Sequence, residues 1–203
     1  MRIFSCDRIL SMAQEFDFAD GNGPVPAHRH INPDKSMGGW VANTAEVAET
    51  AYVTSAAKVF GNARVLETAQ ITGRARVFGE ATVTNSAKIF GDATVAHAAW
   101  IDGTARIGGQ AVVTGRAIVG GDTLVKGGAK ICDNAGIYCN AHIFGKAIVG
   151  RRTVVESRAK IGGSAQLFLD TTEPITGDVE ILSETHSSPN IFGIMQLDND
   201  IGF

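Results

Sequence analysis

The sequence predicts an all-β protein, a parallel β-helix of about seven triangular coils with a segment closing each end. Three observations predict it. Twenty-two aliphatic residues stand six positions apart without a slip, from Val41, Val47 and Val53 through Ile101 and Ile107 to Ile161 and Leu167. Two residues before each of them, from Val47 onward, stands Ala (Ala45 to Ala165), replaced only by Thr123 and Thr153. Two residues after them, Gly occupies 11 of the 21 places from Asn43 to Gly163. Neither the helix period nor the strand period is six. A coil of three strand-and-corner units has that period, and closes after 18 residues.

Taken in chain order, residues 1–40 form an N-terminal cap, 41–169 the β-helix, and 170–203 an acidic segment that caps the far end or crosses to a neighbouring subunit. The cap is predicted from the alternation Phe16-Asp17-Phe18 and the loop residues Gly21-Asn22-Gly23-Pro24-Val25-Pro26. An end cap is needed because an open coil exposes a strand edge. Within the helix, Ala75-Arg76-Val77-Phe78-Gly79-Glu80 illustrates one unit. Ala75 and Val77 lie two apart and point inward, their neighbours point outward, and Gly79 turns the corner with a backbone angle that other residues resist. Coils stacked at strand spacing make a prism about 35 Å long. Past Leu167 the period fails at Glu173, with Val179 as a last in-phase residue. The run Ile191-Phe192-Gly193-Ile194-Met195-Gln196-Leu197 then reads as a terminal strand.

The unit Val-x-Gly-x-Ala-x resembles the hexapeptide repeat of left-handed parallel β-helices. The opening Gly38-Gly39-Trp40-Val41-Ala42-Asn43-Thr44-Ala45-Glu46-Val47 is similar to bacterial and phage-borne proteins of the YdcK type. The resemblance implies a left-handed coil, a homotrimer, and membership of a superfamily rich in acyltransferases that use coenzyme A. In those enzymes a His acts as general base and coenzyme A lies between subunits. His97 and His142 are the histidines within the repeat and therefore the catalytic candidates. Those enzymes also carry a loop between coils that shapes the acceptor pocket, and residues 41–167 contain none.

Composition narrows the classes. No stretch approaches the roughly 20 apolar residues of a membrane span, and charges interrupt the first residues where a secretory core would lie. Cys6, Cys132 and Cys139 are odd in number and lack metal-site spacing, as expected of a reduced, cytoplasmic protein. Phosphate loop, nucleophile elbow and zinc-finger spacing are missing, and neither a nucleic-acid nor a membrane partner is expected. The net charge of −3 hides an uneven distribution: residues 170–203 hold seven acidic groups and neither Lys nor Arg. The prism is correspondingly basic, which suits internal pairing, an anionic ligand, or simple solubility.

Outward residues can be read in columns of 18. One column contains Lys88, Arg106, His142 and Lys160, a candidate site for a phosphate-bearing small molecule; the alternative is that these side chains splay into water. A second column contains Trp100, Ile118 and Val154, apolar groups that suit an oligomer interface. Phe60 and Phe78 stack in the third as subunit contacts or an aromatic ladder. His97 replaces a corner Gly between Gly79 and Gly115, as a base or simply a surface turn residue. His28 and His30 face one side of an extended segment, as two metal ligands could, although a structural role is favoured and a metal is not expected. Two main classes remain. One is an oligomeric, non-catalytic scaffold that binds an anionic small molecule or a protein between subunits. The other is a coenzyme-A-dependent acyltransferase. A structural phage spike or fibre is a third reading.

Overall fold

Alternation along each hexad decides which side chains turn inward, and stacking then joins equivalent hexads into sheets. The computed structural model describes residues 14–170, 173–183 and 185–186. Most strands are two residues long, such as Arg106–Ile107, and each pairs in parallel with the strand 18 residues away: Lys88↔Arg106 and Ile89↔Ile107. Three sheets result, of 11, 7 and 8 strands, forming a triangular parallel β-helix of about eight coils. The 11-stranded sheet is called here the first face, the 7-stranded sheet the second, and the 8-stranded sheet the third.

The aliphatic series fills the interior. From Val53 to Leu167 every member is fully buried, and so are the alanines two residues earlier, apart from a trace at Ala99. Val47 is only half-buried, for a reason that lies in the cap. Thr123 and Thr153, the two substitutes for Ala, are fully buried too. Their hydroxyls donate to the Gly120 and Gly150 carbonyls at 2.6 and 2.8 Å, which satisfies the polar atom inside an apolar core.

Each corner is a four-residue turn, and from Gly61 to Gly163 its first central residue has positive φ, whereas Asn43, Glu49 and Ser55 in the first coil do not. At Gly109, φ is +68° and the Ala111 N–H donates to the Gly108 carbonyl at 3.3 Å. The position keeps that conformation even where Gly is replaced: Glu67, Asn85, His97, Asp133, Cys139, Arg151 and Ser157 all have φ between 54° and 64°. Corner geometry is therefore imposed by the stack, and side chains there carry a local strain.

The N-terminal segment closes the first coil as an antiparallel extension. Strand β1 (Glu15–Asp17) pairs with β2 (Pro24–Ile31), and β2 pairs with β3 (Met37–Ala42), which in turn pairs in parallel with Lys58–Val59 on the first face. The end of β2 and the loop after it close the open edge of the third face at Tyr52–Val53. Asn32, buried, accepts from the Val53 N–H at 2.8 Å, and His30 Nε2 lies 3.1 Å from the Ala51 carbonyl. Strand β3 approaches closely because Gly38 and Gly39 lack side chains; a Cβ on Gly39 would lie 2.2 Å from the Ala57 carbonyl. Nothing comparable covers Glu46–Val47 on the second face among the described residues, which leaves Val47 half-exposed.

Phe60 and Phe78 do form a ladder, 4.8 Å apart and 7° from parallel. It is covered by this chain's own N-terminal segment: Phe18 stacks on Phe60 at 4.8 Å, and Phe16, Ala27 and Trp40 complete a second, external apolar cluster. Arg76 lies over both Phe60 and Phe78 and donates to the Phe18 carbonyl at 3.3 Å.

At the other end the ladder does not stop at Leu167. It resumes with an offset of 20: Val155 bridges Ile175, and Ile161 pairs with Ile181. Val179 is therefore not the in-phase residue; it takes the place of a small residue, two before Ile181, and packs half-buried against the core. Two extra residues after Leu169 shift the register. The offset becomes 19 where Leu167 pairs with His186. The run 191–197, read above as a terminal strand, lies outside the described residues.

Candidate functional site

The basic column lies on the third face as one row of outward side chains: Tyr52, Gln70, Lys88, Arg106, Leu124, His142, Lys160 and Glu180 in register. Lys88, Arg106, His142 and Lys160 are all exposed. The row is divided into two pairs by Leu124, with Lys88 beside Arg106 and His142 beside Lys160. Adjacent members stand about one strand spacing, roughly 4.8 Å, apart along the backbone.

The neighbouring outward column explains how this surface is kept flat. The Phe90 ring occupies the space above Gly108, where a Cβ would sit 2.1 Å from it, and the Phe144 ring covers Gly162 in the same way. Arg106 stands over Phe90, its guanidinium carbon 5.9 Å from the ring centroid. Between these plates stands Lys126, exposed and on the same face. Sequence reasoning missed Lys126 because, of the residues after each aliphatic, which face outward equally, it read only aromatic ones such as Phe60 and Phe78.

Four ion pairs are present among the described residues: Arg64–Glu46, Arg74–Asp92, Arg151–Asp170 and Arg158–Asp178. Each joins an Arg to an acid in the adjacent coil. Arg74 grips Asp92 through two hydrogen bonds, of 2.6 and 2.9 Å, which hold the carboxyl below its usual range and raise the Arg74 pKa. None of the four pairs involves Lys88, Arg106, Lys126, His142 or Lys160.

The apolar column lies on the second face. Trp100 is 44% exposed and Ile118 39%, and Val154 is half-buried. Gly136 separates Ile118 from Val154, but the Tyr138 ring fills its place, so Tyr138 joins the patch. Burial, aided by Asp102, pushes the Tyr138 hydroxyl above its ordinary pKa. Asp102 also accepts from Trp100 Nε1 at 3.2 Å, which fixes the indole. Residues of the turn-adjacent column, again skipped by the sequence reading, shape this surface.

His97 and His142 do not converge. His97 is on the corner between the first and second faces, exposed, with φ of 59° and Nδ1 2.7 Å from the Thr114 hydroxyl. His142 is on the third face, two and a half coils further on. His28 Nδ1 lies 2.9 Å from Asn43 Oδ1, while His30 is buried against Ala51, so each ring has a contact within the cap. Among the described residues no group of three or more His, Cys, Asp or Glu side chains could hold a metal. Cys132 and Cys139 are unpaired; burial raises the Cys132 pKa, with Asp133 adding to it. No helix among the described residues is long and apolar enough to cross a membrane.

No protein-family model, no curated protein and no solved structure matches this chain.

Proposed function

We propose that this protein is a β-helical binding scaffold, and that its third face takes an extended, phosphate-bearing anion along Lys88, Arg106, His142 and Lys160, with Lys126 beside them. The observation that carries the reading is the row of exposed cations that form no ion pair among the described residues, on a face whose corners do pair their charges. Stacked like charges repel, and a multivalent anion relieves that repulsion while gaining charge-assisted hydrogen bonds. Arg106 is the anchor, because its planar fork meets a phosphate bidentately whereas Lys offers a single point of contact.

Kinship with hexapeptide-repeat β-helices, including the YdcK-type proteins and the left-handed coil they imply, belongs to the same proposal and rests on the six-residue period. So does assembly: Trp100, Ile118, Tyr138 and Val154 supply an apolar stripe suited to burial in a homotrimer. Sedimentation of the full chain at micromolar concentration tests this, and Trp100→Arg should dissociate the assembly. A monomer in the unaltered protein refutes it.

Titration calorimetry with inorganic tripolyphosphate, ATP and coenzyme A at low salt tests the anion site. Affinity should fall steeply as salt is added and weaken most in Arg106→Ala. Absence of binding by all three probes would sink the proposal. The acyltransferase reading demands a general base, which must be neutral to act. Turnover of acetyl-coenzyme A that rises with pH and disappears in His97→Ala would replace the scaffold reading with an enzymatic one.

A further inference from the structure

The corner between the first and second faces contains a notch of about 450 Å³ that the basic face does not use. It is lined by Gly79, Glu80, His97, Ala98, Gly115 and Arg116. Its origin is a column of corner residues spaced 18 apart, in which Ala98 stands between Glu80 and Arg116. Above and below it the side chains are long; at Ala98 there is only a methyl group, so the wall is indented by one coil.

The charges around this indentation differ from those of the four ion pairs. Arg74–Asp92 and Arg64–Glu46 are 18 residues apart, Arg151–Asp170 and Arg158–Asp178 one coil apart across the shifted register, and all four are closed. Glu80 and Arg116 are 36 residues apart, two coils or about 9.6 Å of backbone at strand spacing. No side-chain hydrogen bond or ion pair holds either of them among the described residues. Between them His97 points from a left-handed turn position, with Nδ1 at 2.7 Å from the Thr114 hydroxyl and Nε2 left over for a ligand. Gly79 and Gly115 flank it on either side, so no side chain fills the floor.

Glu80, His97 and Arg116 thus border one shallow, open notch whose floor is mostly apolar, with the two charged residues on either side of Ala98 and free to turn onto a ligand. A simple anion would be drawn to Arg116 and repelled by Glu80, and a simple cation the reverse. A ligand with both charges satisfies both walls. We infer that this notch binds a small zwitterion, a free amino acid, with its carboxylate on Arg116, its ammonium on Glu80 and its side chain against Ala98, His97 contributing a hydrogen bond through Nε2. The site is independent of the third face and of the anion proposed there.

The test uses the full-length protein and the 20 common free amino acids at millimolar concentration, followed by thermal shift and titration calorimetry. At least one should bind, and its N-acetyl and carboxamide derivatives, which each remove one charge, should bind at least about tenfold more weakly. Glu80→Gln and Arg116→Gln should each weaken it by a similar factor, and Ala98→Leu should abolish binding by filling the notch. His97→Asn, which tolerates the same turn conformation, should lower affinity by a smaller factor. Circular dichroism showing unchanged folding of these surface variants separates loss of the site from loss of the protein. The inference is overturned if none of the amino acids binds, if the N-acetyl derivative binds as well as its parent, or if binding survives Ala98→Leu.

Discussion

Thr123 and Thr153 offer a matched pair of substitutions that isolates one buried hydrogen bond. Both replace Ala at the same inward position, both are fully buried, and both hydroxyls donate to the carbonyl three residues earlier. They differ in what they accept. The Leu169 N–H donates to Thr153 Oγ1 at 2.9 Å, whereas no such donor reaches Thr123. Leu169 is 2% exposed and ends the four-residue strand Gln166–Leu169, just before the two-residue register shift. Truncating either Thr to Ala removes the same methyl group and the bond to the carbonyl three residues earlier, and Thr153 loses in addition only a long, 3.4 Å contact to the Leu167 carbonyl. Only Thr153→Ala also leaves a buried N–H without its partner, a penalty of about 1–3 kcal/mol. Thr123→Ala should therefore change stability by less than about 1 kcal/mol, since Ala is the residue the column normally contains. Thr153→Ala should exceed it by about 1–3 kcal/mol, measured as the difference between two urea unfolding curves with equal slopes. Equal destabilisation in the two variants would refute the reasoning, because the Leu169 N–H would then have found another acceptor at no cost.

Ile107→Asp places a carboxylate between the inward side chains of Ile89 and Val125, and should cost more than about 4 kcal/mol; a variant unfolding at the same urea concentration as the parent would contradict the inward placement. Gly109→Ala puts a Cβ 2.9 Å from the Gly127 carbonyl in a left-handed turn, for an expected loss of about 1–2 kcal/mol in the same assay. Acid should loosen the cap. Asp34 accepts from the Ser36 hydroxyl and N–H, which lowers its folded-state pKa, so its stabilising contribution is present above the ordinary carboxylate pKa and is lost as the pH falls through the lowered value. Asp34→Asn should accordingly flatten the fall of Tm at the acid end, relative to the parent; parallel curves would exclude the linkage.

Local repetition made most of the fold legible in the sequence. An inward residue at Val77 meets its ladder partners at Val59 and Val95, always 18 positions away, so sheet membership, register and the outward columns follow from counting. The basic row and the apolar row could be named from that count alone. Lys126 and Tyr138 were equally countable and were missed because the second outward position of each hexad was read for the stacked phenylalanines and not as full columns. The limits of the repeat were decided by contacts without a period. Asn32 and His30 reach Val53 and Ala51 through a loop, and Phe18 folds back onto Phe60. Between Leu169 and Ile175 the ladder passes from an offset of 18 to 20, which puts Ile175 and Ile181, rather than Glu173 and Val179, in register with the core. The notch at Ala98 is of the same kind. Glu80 and Arg116 could be placed in one column by arithmetic, but that they border one notch beside His97 without pairing depends on the width of two coils and the size of one methyl group. The sequence by itself determined the period and hence the inward face; closure, register at the ends and the meeting of charges across coils were decided in three dimensions, where distance rather than chain order sets which groups interact.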